Sequence, residues 1–218
     1  MTIFNREEEL FQEWKTRREP FVPDGAVSEQ DYLKSCPKIA FILKETNDSG
    51  QIDLREFLRD GERGYTWNNV ARWVHGIRNL PSEPIGLATK KIDRAFRREM
   101  LRGIVVMNLK KSPGGSSTND ADLERVARED AEYIRKQYAL YDPDITICGG
   151  ADTTAEVFRE LVHPKMEPEQ TTRGISWYRR NAQNQYVVAF FHPAARDRPA
   201  QLLGDLLDAI KEIKQKQE

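Results

Sequence analysis

Cysteine is almost missing from this 218-residue chain, with Cys36 and Cys148 the only two. Two thiols are too few for a disulfide framework or a cysteine-held metal cluster, so a reduced, cytoplasmic setting is the expectation. Long apolar runs are missing too. No stretch approaches the roughly 20 apolar residues that a membrane-spanning helix needs. The opening Met1-Thr2-Ile3-Phe4-Asn5-Arg6-Glu7 also lacks the apolar segment of a secretory signal. No membrane partner is therefore expected. Nor is one sign of charge in excess: 34 Lys and Arg against 35 Asp and Glu leave a formal −1. Many nucleic-acid binders are basic overall, so this balance argues mildly against such a partner. Local clusters (Arg94, Arg97, Arg98 and Arg102; Arg173, Arg179 and Arg180) work against that inference. They read equally well as solvated helix or hairpin faces.

What is present is a soluble composition, 39% hydrophobic and 32% charged. The length suits one domain over 1–218, with residues 1–37 as an N-terminal helical extension packed on it. Short runs rich in β-branched and aromatic residues alternate with helical patterns. Lys38–Leu43 runs into Lys44-Glu45, Gly103–Met107 into Asn108, and Tyr186–Phe191 into His192-Pro193-Ala194-Ala195-Arg196. A fourth run, Asp144–Cys148, stops at Gly149-Gly150, and Gly174–Tyr178 reads as an extra strand.

Between the strands, a first helix is expected after Asn5, with Glu8 completing a capping box. Trp67, Val70, Trp73, Val74 and Ile77 recur at helical spacing, as do Leu202, Leu203, Leu206, Leu207, Ile210 and Ile213. One long helix is expected from Asp120 to Tyr138. The pattern is α/β: a three-layer α/β/α sandwich around a four-stranded parallel sheet. Ligands of open parallel sheets bind outside the carboxyl ends of the strands, so Glu45, Asn108 and His192 should converge in one crevice.

Taken singly, these residues have plainer readings. His192 before Pro193 can simply end a strand. Glu45 can be a solvated acid or a cap, and Asn108 can cap the turn after its strand. Trp67 shares its stripe with Val70, Val74 and Ile77, which suits core packing as well as stacking on a ligand. The Ser112-Pro113-Gly114-Gly115-Ser116-Ser117 loop lacks the lysine spacing of a phosphate-cradling P-loop.

In combination and order, residues 36–215 resemble the uracil-DNA glycosylase superfamily. The segment Leu43-Lys44-Glu45-Thr46-Asn47 stands where that family carries its first motif. Leu43 replaces a usual glycine there, Thr46 a usual proline, and Glu45 a common Asp or Asn. Val105-Val106-Met107-Asn108 resembles the strand ending in a base-reading asparagine. His192-Pro193-Ala194-Ala195-Arg196 resembles the last motif, and Asp142–Gly150 the strand and turn between.

The resemblance implies a glycosylase that flips a deaminated or modified base, uracil by default, out of duplex or single-stranded DNA and hydrolyses its N-glycosidic bond. Glu45 and His192 would be the catalytic pair, Asn108 and Trp67 the base-binding pair. Arg196, Lys110, Lys111, Ser112, Ser116 and Gly149 would contact DNA. No metal or other cofactor is implied, since the four cysteines of the iron–sulfur branches are absent, and a monomer is expected. Three rivals stay open: a non-catalytic nucleic-acid-binding module of the same fold, a hydrolase of free nucleosides or nucleotides, and an interaction protein with a vestigial cleft.

Overall fold

The apolar runs become the middle of one sheet because they bury both faces, which only a strand covered by helices on each side can do. The computed structural model describes residues 1–47, 52–62, 64–82, 86–87, 90–115, 119–181, 184–195 and 199–216. In chain order the elements are α1 (Ile3–Lys15), β1 (Gly25–Ala26), α2 (Glu29–Lys34), β2 (Ile39–Leu43), α3 (Leu54–Arg59) and α4 (Tyr65–Arg78). They continue with α5 (Arg94–Arg102), β3 (Ile104–Asn108), α6 (Asp120–Glu129), α7 (Ala131–Ala139), β4 (Ile145–Gly149) and α8 (Thr153–Val162). The last are β5 (Glu169–Gln170), β6 (Ser176–Arg179), β7 (Tyr186–Phe190) and α9 (Pro199–Gln215).

Among the described residues the sheet has seven strands in the order β1-β3-β2-β4-β7-β6-β5, not the four expected. The central β3-β2-β4-β7 are mutually parallel, as their sequence pattern suggests. The additional strands are antiparallel and lie outside them, β1 on β3 and the β5–β6 ribbon on β7. Short antiparallel strands of this kind cover the open edges of a parallel sheet. Of these, β6 carries a readable pattern, whereas β1 and β5 are two residues each and too short to show alternation.

Alternate residues of each central strand feed two cores. Phe41, Val106, Ile147 and Val188 face one, with α3, α4, α5 and α9 packed over them. Ala40, Ile42, Val105, Met107 and Val187 face the other, under α1, α6, α7 and α8. Trp73 of α4 anchors the first core, stacked on Phe41 at 6.4 Å and edge-on to Phe190 at 5.3 Å. Among the described residues no helix is long and apolar enough to cross a membrane.

Two local expectations are corrected. Helix α1 starts at Ile3, capped by Thr2, whose hydroxyl accepts from the Asn5 N–H at 3.1 Å; Asn5 is inside the helix. The Glu29 carboxylate accepts from the Ile3 and Phe4 N–H groups, which completes the helix end. The expected helix over 120–138 is two, α6 and α7, separated at Asp130. Asp130 departs from helical dihedrals, and its buried carboxylate accepts from Arg18 Nε at 2.7 Å. That tie to the segment after α1 is tertiary, and nothing in the local periodicity announces it.

Candidate functional site

The parallel ladder sets the site. Leu43 at the end of β2 lies beside Asn108 at the end of β3, and pairing continues past both ends: Leu109 N–H donates to Leu43 O and Lys110 N–H to Lys44 O. The chain leaves β2 to one side for β3 and crosses back to the other side for β4, so the crevice of this sheet opens at the carboxyl end of β2. A pocket of about 420 Å³ occupies that place. Glu45, Asn108, His192 and Trp67 all line it, together with Thr46 and Phe57. The expected convergence of acid, amide and imidazole is present, and the Trp67 indole lies beside them. A larger, open depression lies over α5, bordered by Arg94, Arg98 and Arg102, and has no such set of groups.

His192 sits in a turn closed by Ala195 N–H donating to its carbonyl at 2.9 Å. The Ala194 N–H donates to its Nδ1 at 3.1 Å, so Nδ1 is an acceptor and the neutral ring carries its proton on Nε2. Burial, and then the positive Lys44 nearby, push its pKa below the ordinary histidine value and favour that neutral form. Asn69 of α4 fixes the turn from behind, its Nδ2 donating to the Pro193 carbonyl at 2.8 Å. Asn69 shares a buried helical face with Trp73, four residues on. A polar residue on such a face is a signal legible in sequence, since a buried polar group needs a partner.

Glu45 is held from two sides. Its Oε2 lies 2.8 Å from Lys110 Nζ, and Lys110 also pairs with Asp122 at 2.8 Å. Gly114 closes over the carboxylate: its N–H donates to the Thr46 carbonyl at 2.8 Å, and a Cβ there would overlap the Glu45 carboxylate. Lys110 therefore serves Glu45 and Asp122, and is not the free phosphate contact expected of it.

Lys111 is a plainer correction. Its side chain is fully buried, with Nζ 2.6 Å from Asp24 Oδ1 and 2.9 Å from the Asn108 carbonyl. Burial pulls its pKa down while Asp24 pulls it up, and burial is the larger effect. It cannot reach DNA. Gly149 is corrected too. It is buried in β4, where a Cβ would come within 2.6 Å of Leu43 and 3.0 Å of Pro193, so the residue makes room for the His192 turn and is not a phosphate-binding turn. Ser112 is half-buried. Ser116 and Arg196 lie outside the described residues.

Asn108 itself is almost fully buried. Its backbone N–H donates to Asp24 Oδ2 at 2.8 Å; its Nδ2 donates to the same oxygen at 3.2 Å and to Thr46 Oγ1 at 3.1 Å. Asp24 also accepts from Gln137 at 2.9 Å, and beyond it Tyr141 donates to Glu7, which pairs with Arg55 at 2.8 Å. Sequence reading missed Asp24, because Pro23-Asp24-Gly25 looks like any turn. Gly25 is required there: its φ is +136°, and a Cβ would overlap the Glu7 carboxylate. Thr46 stands out in the sequence only as a departure from the first motif.

No protein-family model matches the chain, and no curated protein matches it in sequence.

Proposed function

We propose that this chain is a divergent member of the uracil-DNA glycosylase superfamily, a hydrolase that excises a deaminated or modified base from DNA. The observation that carries the reading is the shared pocket: Glu45, Asn108 and His192 leave three different strand ends, Trp67 comes from α4, and all four line one cavity of about 420 Å³. A cavity of that size suits a small-molecule-sized occupant such as a nucleobase with its sugar.

In this reaction water adds to the anomeric carbon while the N-glycosidic bond breaks, the base departs with the electron pair, and the proton lost by the water ends on the departing base. Positive charge grows on the sugar and negative charge on the base. His192 Nε2–H donates to the departing base. A preorganised donor of this kind contributes on the order of 10²–10³ in rate. The Glu45 carboxylate stabilises the cationic sugar and orients the water, with Lys110 and Gly114 holding it in place. Asn108 reads the base edge and Trp67 offers it an aromatic face.

The test is a set of oligonucleotides, each carrying one altered base, assayed for abasic sites. Wild type releases at least one base. His192→Ala and Glu45→Ala slow that release about 100-fold or more, the scale of a lost transition-state donor. Failure of every base, with binding that weakens steeply as salt rises, would leave only the binding module.

One observation favours a second reading, hydrolysis of free nucleosides or nucleotides. Lys110 and Lys111 both face carboxylates, so the loop expected to track a DNA backbone presents neither as a free cation. Release from a free nucleoside as fast as from DNA would select it.

A further inference from the structure

The Asn108 amide has two protons, and both are taken. One goes to Asp24 Oδ2 and the other to Thr46 Oγ1, at 3.2 and 3.1 Å. The assignment of nitrogen and oxygen follows from Asp24, since a carboxylate facing Lys111 Nζ at 2.6 Å is an acceptor, and only the NH₂ side can meet it. What Asn108 has left for an occupant of the pocket is its carbonyl oxygen.

We infer that Asp24 is a specificity-determining positioning residue: it makes Asn108 an acceptor only, and so selects nucleobases that present an N–H on the facing edge, amino groups included. This deepens the proposed reading and rests on the pocket taking a nucleobase. An amide free to offer both its oxygen and its N–H groups to one base edge discriminates sharply. It matches a neighbouring carbonyl and N–H, and it repels an amino group that meets its own NH₂. Specificity of that kind depends on the repulsive element. Here the NH₂ is turned into the protein, so the repulsion is missing. An amino group donates to the Asn108 oxygen as readily as a ring N–H does. The class therefore extends from keto-pyrimidines such as uracil to 4-aminopyrimidines of the cytosine type. Thr46, having accepted the amide proton, keeps its own hydroxyl proton to offer elsewhere.

The geometry is maintained from outside the pocket. Asp24 holds the backbone N–H and the side chain of Asn108 with the same oxygen, at 2.8 and 3.2 Å. Its other oxygen is taken by Lys111 and Gln137. A flip of the amide would place a carbonyl against a carboxylate, which costs a buried hydrogen bond and adds repulsion.

The test is calorimetric binding of 2′-deoxyuridine and 2′-deoxycytidine to the full chain, where no base has to be flipped. For wild type the two Kd values fall within about fivefold. Thr46→Val frees one amide proton and is mild enough to leave the fold intact. It weakens deoxycytidine at least fivefold relative to deoxyuridine. Asp24→Asn shifts the ratio the same way. Asn108→Ala weakens both nucleosides alike. The Kd ratio is the deciding readout, because a merely structural role for Asp24 would lower both affinities together. Deoxycytidine bound more than thirtyfold more weakly than deoxyuridine by wild type would overturn the inference, as would a ratio that Thr46→Val leaves unmoved. If neither nucleoside binds and no altered base is released from oligonucleotides, the nucleobase reading of the pocket falls, and this inference falls with it.

Discussion

Asn108 stands on the border between two regions that treat polar groups in opposite ways. Beneath it, Asp24, Lys111, Gln137, Tyr141, Glu7 and Arg55 form a buried network in which each charge meets a partner. Above it, the pocket is lined by the His192 ring, whose proton sits on Nε2, and by Asn108, whose amide protons are already taken. The contrast teaches how a cleft obtains directional chemistry. Burying charge is costly unless it is paired and hydrogen-bonded, so the lower network is worth having only if it orders something. What it orders is the orientation of one amide and the end of one strand.

Breaking the lower region should have the largest effect. Lys111→Met leaves Asp24 buried without its cation, and one broken partner of a buried pair costs about 3–5 kcal/mol. Urea denaturation should show a lower midpoint, and a combined Asp24→Asn, Lys111→Met variant should recover part of the loss. A double variant that loses the full sum would mean the two residues are independent.

A second effect sharpens the comparison from outside both regions. His163 hydrogen-bonds Tyr178 at 3.1 Å among the rings of Tyr138, Phe158 and Tyr178, and burial, with Arg180 nearby, lowers its pKa to about 4. Its value in the folded state is thus below that of the unfolded chain. Between about pH 4 and 6.5 the unfolded state binds the extra proton, so stability present above pH 6.5 is lost as pH falls through that window. After allowance for partial exposure this amounts to roughly 2–3 kcal/mol. Melting temperatures from pH 7 to 4 should fall less steeply in His163→Leu than in wild type.

In the upper region, Gly114→Ala places a methyl against the Glu45 carboxylate and must displace the loop or the acid. Base release should drop roughly tenfold, the scale of a small misplacement of a reacting group, while the melting temperature moves little. An unchanged rate would show that the loop relaxes without disturbing Glu45. The smallest effect belongs to the surface: Arg128 pairs with Glu124 and Glu160 in full view of solvent, where such pairs are screened. Arg128→Ala should leave the denaturation midpoint where it is.

Reading residues in order already gave much of the site. Glu45, Asn108 and His192 are legible because each ends an apolar run, and parallel strands deliver such residues to one edge. Trp67 also lines the pocket, although its helical stripe made a core position equally reasonable. The loop residues misled for a physical reason. Lys110, Lys111 and Gly149 look like phosphate contacts because a basic, glycine-rich sequence carries no mark of its partners. Asp24, from a distant segment, and Asp122, from the next helix, take up those lysines, and Leu43 and Pro193 take up the space at Gly149.

The one-dimensional pattern determined the α/β class, the four parallel strands and the three polar strand ends, because burial on both faces dictates composition locally. The β1 edge, the break at Asp130, the fate of Lys111 and the orientation of the Asn108 amide were decided only in three dimensions. Each of these depends on a hydrogen bond or ion pair between segments far apart in the chain, and such a partner leaves no trace in either segment's own sequence.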